Sequence, residues 1–314
     1  MDVRISVVMA VHDDADHLSE TVTSVLRQTL DDFELIVVDD GSTDPRVAAL
    51  LEACAYRDAR IRVIRQSHRG LTEALITGCD AARGRFLARI DVGDRMAPTR
   101  LARQARVLED FPDCAFLSCH TEFLGPDGEH LWLNQGRCPS DRPAAILPDV
   151  PHGQLLGDMT CHGSVMFRRL AYEVAGGYRR QFYYGQDWDL WYRLAECGTF
   201  FVVPAVLYQV VVLPGGISMR NAEQQRRIAA CSRGAFEARR TGRSEDSWLN
   251  EAEQIRPQGD DAPARLNNEP GLYFIGEVLR RNGDSRCRKY HWAAVRSRPL
   301  RLRAYVRLLQ SWLV

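Results

Sequence analysis

The chain has 314 residues, of which 45% are apolar and 26% charged, and its formal net charge at pH 7 is zero. A chain of this length can bury a sizeable core and form one large domain or two modest ones. The balanced charge is atypical of a general nucleic-acid binder, so we expect no nucleic-acid partner.

The nine cysteines are scattered, and no two of them have the two-residue spacing of a zinc knuckle or a thiol redox motif. We therefore expect reduced thiols, as in a cytoplasmic protein. The apolar run near the N-terminus is too short for a signal peptide. The longest apolar stretch, 200–213, contains Pro204 and Gln209 and is too short to span a bilayer.

The first 110 residues alternate between predicted strands and helices. Ile5 to Val11 is a continuous, β-branched apolar run, which is typical of a strand buried on both faces of a parallel sheet. Leu18, Val22, Val25 and Leu26 follow at helical spacing. The alternation continues with strands at 33–38, 61–64 and 86–90 and helices at 45–54, 71–82 and 98–110. This series predicts a mostly parallel sheet with right-handed crossovers.

Acidic residues follow three of these strands, at His12 to Asp14, at Asp39-Asp40, and at Asp91 and Asp94. Parallel α/β sheets bind ligands at the carboxyl ends of their strands, so three clusters at one edge indicate a functional site. Carboxylates just past a buried strand are poorly solvated unless they bind a cation, which favours a divalent metal at Asp91 and Asp94. A simple turn, with Gly93 supplying the bend, is the alternative.

The pattern changes after residue 112. We predict a strand at 114–120, a hairpin at 123–133 that turns at 126–128, an extended run at 163–167, a helix at 187–197, and two strands at 200–203 and 206–213. A proline-broken stretch covers 139–151. From Ser218 onward the chain reads as helical and polar, apart from a loop or linker at 257–270.

Several segments occur in the order and spacing of one enzyme family: ISVVMAVHDD and ELIVVDDGSTD, then HRGLTEALITGCDAARGRFLARIDVGD, RLARQARVLEDFPD, CHGSVMFRR and GGYRRQFYYGQDWDLWYRLAECG. Together they resemble the family-2 glycosyltransferases with a GT-A fold, of the bacterial surface-polysaccharide type. The resemblance implies an α/β fold with a Rossmann-like, mostly parallel central sheet flanked by helices. It also implies a GT-A domain at 1–215, divided into a nucleotide-sugar half (1–112) and an acceptor half (113–215), and a helical C-terminal extension at 216–314.

The resemblance further implies a nucleotide-sugar donor. In the family, the residue at the position of His12 stacks on the nucleobase, and the acid at the position of Asp40 bonds to the base edge. A carboxylate that accepts from the N3–H of uracil fits a UDP-sugar. The complete set of donor-binding residues implied in this way is Ala10, His12, Asp13, Asp40, Arg69 and Asp91.

The segment from Asp91 to Asp94 matches the family's metal motif, commonly Asp-x-Asp-Asp, except that Gly93 stands at the third position. The family motif implies a Mn or Mg ion that bridges the diphosphate oxygens of the donor. Because Gly93 removes a usual ligand, we expect Asp91 and Asp94 to bind the metal more weakly or at a shifted site.

Asp187 matches the family's general base, which takes the proton of the attacking hydroxyl as the sugar carbon is displaced in line. We expect the helix N-terminus at this position to keep Asp187 ionised. His162, Tyr184 and Trp188 are candidates for contact with a glycan or lipid-linked acceptor, and core packing is the alternative for each.

Two other functions stay open. A degenerate GT-A domain could bind nucleotide or glycan without turnover, and Gly93 motivates this alternative. A sugar nucleotidyltransferase would share the sheet, but it needs a glycine-rich, basic phosphate loop after the first strand, where this chain has Asp13 and Asp14.

The end of the chain is basic, with ten Lys or Arg and two acidic residues from Glu277 onward. Read as a helix from Leu300, it places one apolar stripe along its length: Leu302, Tyr305, Val306, Leu309 and Leu313. Packing onto the catalytic domain and peripheral contact with an anionic membrane both explain this stripe. The predicted localisation is the cytoplasm, with or without attachment to the inner face of the cell membrane.

Overall fold

A computed structural model of the chain describes residues 3–136, 142–143, 161–215, 222–256 and 269–313. The chain divides into two compact units. The first comprises residues 1–121, 134–209 and 227–256, and the second comprises 122–133, 210–226 and 257–314. Most of the proline-broken stretch at 139–151, the start of the polar helical part at 218, and residues 257–268 of the expected linker lie outside the described residues.

The described strands are β1 (Ile5–Val11), β2 (Phe33–Asp40), β3 (Ile61–Gln66), β4 (Phe86–Arg89), β5 (Arg95–Met96), β6 (Cys114–Leu124), β7 (His130–Asn134), β8 (Met166–Arg168) and β9 (Thr199–Val211). The described helices are α1 (Ala15–Leu26), α2 (Pro45–Arg57), α3 (Leu71–Asp80), α4 (Arg100–Asp110), α5 (Arg169–Val174), α6 (Gln186–Cys197), α7 (Ala222–Arg240), α8 (Asp246–Gln254), α9 (Glu269–Arg281), α10 (Cys287–Ser297) and α11 (Leu302–Gln310).

The strands form one mixed sheet in the order β3-β2-β1-β4-β8-β6-β9-β5, and β7 pairs with β6. The four strands from the first part of the chain are mutually parallel, with β1 between β2 and β4. The strands β8 and β5 run antiparallel to their neighbours. The predicted α/β class, with a mostly parallel central sheet flanked by helices, is confirmed.

The apolar runs occupy the centre of this sheet. Every residue of β2 is buried, and β1 is buried at all but one position, as expected for strands covered on both faces. The predicted inner stripe of α1 is buried at Leu18, Val22 and Val25 and partly buried at Leu26. The continuous apolar sequences therefore fix the middle of the sheet, and the polar residues that follow each strand are left at its edge.

Two predictions for the second half of the chain were wrong. The expected pair of strands at 200–203 and 206–213 is one continuous strand, β9. Pro204 does not end it, because Pro204 is exposed and lies in the part of β9 that β5 does not pair. The extended run expected at 163–167 begins instead with a 3-10 turn at His162–Ser164, which precedes β8.

Within the described ranges, no helix is long and apolar enough to cross a membrane.

The buried carboxylate of Glu34 connects β2 to neighbouring segments through hydrogen bonds. Glu34 in β2 is 1% exposed, and it accepts hydrogen bonds from Ser6 Oγ (2.7 Å), Arg62 Nη1 (2.8 Å) and Arg83 Nη2 (2.8 Å). Burial disfavours the charge, but these donors outweigh it and lower the pKa of Glu34 to about 2. The ionised form of Glu34 is therefore part of the folded state.

We predict that Glu34→Gln lowers the free energy of unfolding at pH 7 by about 2–3 kcal/mol, because it leaves a buried charge-assisted network incomplete. The folded pKa lies below the ordinary value, so this stability is present above about pH 4.5 and is lost as the pH falls toward 2. Urea unfolding of both proteins at pH 7 and near pH 3.5 should show a smaller difference at the lower pH. Glu20→Gln, at a side chain that is 60% exposed, is the matched control and should change stability by less than about 1 kcal/mol.

Candidate active site

The acidic clusters meet at one edge of the sheet. Val11, the last residue of β1, is in register with Asp39 of β2, and β4 pairs with the other side of β1. Because these strands are parallel, the residues after Val11, at the end of β2 and after β4 lie at the same edge. The structure therefore brings together the predicted donor and metal residues at 10–13, 40 and 91.

Asp40 is buried, and its carboxylate accepts hydrogen bonds from the segment that leads into α3. One oxygen accepts from Gln66 Nε2 (2.6 Å) and from the backbone N–H of Arg69 (3.0 Å). The other accepts from the N–H of Gly70 (2.8 Å) and lies 3.0 Å from His68 Nδ1. A carboxylate has about four acceptor sites. The contacts of Asp40 therefore orient residues 66–70, including Arg69, whose side chain is 48% exposed.

Two imidazole rings are stacked beside this carboxylate. The ring centres of His12 and His68 are 4.0 Å apart, and their planes are tilted by 25°. The Nδ1 atom of His12 lies 2.9 Å from the backbone oxygen of Asp40, which fixes the ring to the end of β2. Both side chains are about two-fifths exposed. The pair thus presents aromatic surface at the sheet edge.

Asp13 joins the first loop to the second. Its carboxylate accepts from the backbone N–H groups of Thr43 (2.6 Å) and Asp44 (2.8 Å) and from Thr43 Oγ1 (2.9 Å). Its own backbone has a positive φ of 51°. The hydrogen bonds, above all from Asp44, lower the pKa of Asp13, so the anion is the form that holds the loop.

The residues from Asp91 to Asp94 form a tight turn. The N–H of Asp94 donates to the carbonyl of Asp91 (3.2 Å), and Gly93, the third residue, has a φ of +95°. A type II turn requires positive φ at this position, which glycine adopts without strain. The glycine that interrupts the family's metal motif is therefore the residue that this turn geometry needs.

Tyr208 of β9 holds the turn in place. Its hydroxyl donates to Asp94 Oδ2 (2.8 Å) and accepts from the backbone N–H of Asp91 (3.2 Å). Burial, reinforced by the nearby carboxylates, keeps the pKa of Tyr208 well above its usual range, so the hydroxyl keeps its proton. The close approach requires glycine at 163, because a Cβ there would lie 1.9 Å from the Tyr208 oxygen.

Arg89 places a positive charge beneath the acidic edge. Its side chain is 2% exposed and donates to the carbonyl of Ile90 and to Asp91 Oδ1. The same charge favours the ionised form of Asp187, against the larger effect of burial, and the neutral form of His162, in addition to the effect of burial. Arg89 is therefore close to the predicted general base as well as to the predicted metal ligand.

Asp187 lies in the first turn of α6, as predicted. Its Oδ1 accepts from the backbone N–H of Trp188 (3.0 Å). The helix N-terminus was expected to keep Asp187 ionised, but its pKa is raised rather than lowered. Burial is the largest influence and, with the charge of Asp91, raises the pKa of Asp187 to about 6, although the backbone donors and Arg89 lower it. The carboxylate is mainly ionised at neutral pH and can accept a proton there.

His162 is a neutral neighbour of this group. Its Nε2 atom is 2.7 Å from the hydroxyl of Tyr178, and burial together with the charge of Arg89 holds the pKa of His162 well below its usual range. The charges of Asp187 and Arg89 also act on Tyr178. His162 thus lies in the same electrostatic cluster as the predicted base.

The aromatic candidates are partly committed to packing. Trp188 is half-buried against the core of the first unit, with its ring centre 5.3 Å from that of Trp191. Tyr184 packs at the edge of a smaller cluster formed with α7 and α8. Asp189 is 1% exposed and pairs with Arg193 at 2.5 Å, which is a structural role. Trp188 and Tyr184 keep partial exposure and remain candidates for acceptor contact.

The acidic side chains at the sheet edge are suited to a divalent ion that is bound weakly. In the described part of the chain, no group of three or more His, Cys, Asp or Glu could hold a metal. Magnesium-type ions are often held by one or two carboxylates, with phosphate oxygens and water completing the shell. Asp91, whose side chain is 40% exposed, fits that role. Asp94 is 7% exposed and already bonded to Tyr208.

Four residues of the site were not predicted from the sequence. A charged residue inside an apolar strand, next to an acidic motif, is a signal that could have identified Arg89. His68 precedes α3 in a segment that matches the family, which is a weaker signal. Tyr178 and Tyr208 carry no local signal, because their partners are 16 and 114 residues away.

Known proteins resemble this chain in sequence and in structure. The family model described as Glycosyl transferase family 2 matches residues 6–174. EpsE of Bacillus subtilis (strain 168), named as a glycosyltransferase, is 32% identical over 200 residues, which cover 62% of this chain and 68% of EpsE. The chain spans only 33% and 31% of two further curated relatives.

Two solved structures share the fold. TarS 1-349 of S. aureus, in complex with UDP, aligns with a TM-score of 0.59 and 13% identity over 99% of this chain and 89% of that one. The mannosyltransferase PcManGT of Pyrobaculum calidifontis, in complex with GDP-Man and Mn2+, aligns with a TM-score of 0.55 and 16% identity over 99% and 86%. These likenesses confirm the GT-A architecture. Because the family model covers more than half of the chain and EpsE matches over 68% of its length, the chain belongs to glycosyl transferase family 2 and is a glycosyltransferase.

Proposed function

We propose that this chain is an inverting glycosyltransferase that moves a sugar from a UDP-sugar to a hydroxyl of a glycan or lipid-linked acceptor. The observation that carries the proposal is Asp187, a partly buried carboxylate at the start of α6 with a pKa of about 6, within the electrostatic reach of Arg89 and Asp91. In the reaction, the acceptor oxygen bonds to the anomeric carbon as the bond to the nucleotide diphosphate breaks. The hydroxyl proton passes to the Asp187 carboxylate.

The donor would bind at the sheet edge within the proposed GT-A domain at 1–215. The stacked rings of His12 and His68 supply a face for the nucleobase. Asp40 would act mainly by holding the segment 66–70, so that the Arg69 side chain reaches the donor. Asp13 stabilises the adjacent loop. Ala10, near the carboxyl end of β1, would also contact the donor. His162, Tyr184 and Trp188 would meet the acceptor.

A divalent ion, Mn or Mg, would be held by Asp91 with assistance from Asp94. When bound, such an ion offsets negative charge on the departing diphosphate. The name of the mannosyltransferase complex, with GDP-Man and Mn2+, is consistent with that role for a related fold. The contact with Arg89 orients the Asp91 carboxylate whether or not the ion is present. We place the enzyme in surface-polysaccharide synthesis in the cytoplasm, the setting that the family resemblance implies.

We predict that UDP-sugars raise the melting temperature of the intact protein and that Mn2+ enlarges the rise, since a ligand that binds only the native state stabilises it. A screen of UDP, UDP-GlcNAc and GDP-mannose, each with and without Mn2+, identifies the nucleotide. Asp91→Ala should remove the Mn2+-dependent part, whereas Asp110→Ala, at a side chain that is 58% exposed, should not. Equal shifts in the parent and in Asp91→Ala would contradict the metal assignment.

We predict that Asp187→Asn reduces transfer by about a hundredfold or more, because the amide cannot accept the proton. The folded pKa of Asp187 lies above its ordinary value, so stability is lost as the pH rises through about 6. The variant should therefore melt at a higher temperature than the parent at pH 8, and the gain should shrink toward pH 5. Asp189→Asn is the contrasting control: it breaks a buried ion pair and should lower the melting temperature.

We predict an acidic limb in the pH profile of kcat/KM with a midpoint near pH 6, because protonated Asp187 cannot act as a base. Initial rates of transfer across pH 5–8 measure it. A rate that is independent of pH in this range would argue against Asp187 as the base. Donor-induced stabilisation without any transfer or hydrolysis, at every pH, would favour the degenerate binding domain instead.

A further inference from the structure

The helix α11 exposes the face that its sequence would be expected to bury. Leu302, Tyr305, Val306 and Leu309 recur at helical spacing and are 78%, 39%, 51% and 72% exposed. Trp312 in the following turn is 67% exposed. The alternative in which this stripe packs onto the protein therefore does not hold for the described residues.

The opposite face of α11 makes the contacts with the rest of the second unit. Ala304 and Ser311 are fully buried there. Arg307 turns the same way: its Nε lies 3.3 Å from Glu277 Oε2 and donates to the hydroxyl of Tyr273 (3.3 Å). The small residues let the helix backbone approach its neighbours, and an arginine uses the inner face. The helix is thus anchored with its apolar stripe outward.

The surroundings of the stripe are positively charged. Residues 285–314 contain eight Lys or Arg and no acidic residue. Arg296, Arg298 and Arg303 are exposed, and within the described ranges none of the three is paired with a carboxylate. Among the acids of this unit that the structure describes, Glu269 is paired with Arg301 and Glu277 with Arg280. A partner for this surface should therefore offer both apolar contact and negative charge.

We propose that the exposed face of α11 binds the surface of an anionic lipid bilayer. Apolar side chains that enter the headgroup boundary, next to arginines that meet acidic headgroups, are the features of an interfacial helix. A second copy of the chain fits less well, because two such faces would bring like charges together across the contact. This inference does not depend on the proposed transferase reaction.

The test is sedimentation of the full-length protein with vesicles. We expect binding to phosphatidylcholine vesicles that contain about 30% phosphatidylglycerol, and at least about tenfold weaker binding to phosphatidylcholine alone. Raising the salt to about 0.5 M should weaken the binding, because the electrostatic part is screened within a few ångströms. A chain that ignores anionic vesicles at low salt would overturn the proposal.

Matched variants assign the surface. The apolar variant, Leu302→Ser with Val306→Ser and Leu309→Ser, and the basic variant, Arg296→Gln with Arg298→Gln and Arg303→Gln, should each lose at least about tenfold in vesicle binding. The control changes three exposed apolar residues elsewhere, Tyr56→Ser with Leu170→Ser and Val174→Ser, at side chains that are 94%, 69% and 70% exposed, and should bind as the parent does.

Two further readouts keep the result interpretable. Circular dichroism and melting of each variant establish that it is folded, which is expected because every changed residue is exposed. Size-exclusion chromatography reports self-association. If the parent is a dimer, the apolar variant is a monomer, and vesicle binding is unchanged, then the face is a contact between copies and the membrane proposal is wrong.

Discussion

The hydroxyl of Tyr208 is the contact on which the acidic edge depends. It bonds both to the backbone of Asp91 and to the side chain of Asp94, so the turn after β4 is fixed by a residue from β9. The ring in turn lies 4.8 Å from the guanidinium of Arg100, which donates to the carbonyl of Arg89 at 3.0 Å. One buried tyrosine of β9 therefore connects two parts of the chain that are far apart in sequence. This connection fixes the positions of Asp91 and Asp94 after β4.

The electrostatics of the site follow from this rigidity. Together with burial, the negative charge of Asp91 raises the pKa of Asp187. The positive charge of Arg89 opposes this rise. The unfavourable desolvation of the buried Arg89 is already part of the folding free energy. A donor diphosphate would add further negative charge, which explains why a cation near Asp91 would assist binding even though few protein ligands are available.

The sequence predicted the parts of the fold that depend on local pattern. The apolar runs of β1 and β2 and the stripe of α1 identified the parallel centre of the sheet, and the acids after the strands identified the edge. Pro204 misled the prediction because a proline ends a strand only where its missing N–H is needed. The stripe of α11 could not be assigned to protein or solvent, since periodicity identifies an apolar face but not what it meets. Tyr208 was not predicted because its role arises from a contact with Asp94, 114 residues away. Arg89 was missed although it contacts its chain neighbours Ile90 and Asp91.

The turn at Gly93 has a consequence for how this sequence can change over evolutionary time. A side chain at residue 93 would meet little, since the nearest atom is His17 Cβ at 3.9 Å, so the obstacle is the backbone, whose φ is +95°. Replacing this glycine by the aspartate usual in the family would put a side chain on strained backbone at about 1–3 kcal/mol, although Asp13 shows that an aspartate of this chain can hold a positive φ. The ligand set and the turn are thus epistatic. A lineage with this turn is expected to acquire the usual metal motif at a loss of stability, which favours a compensating stabilising substitution elsewhere.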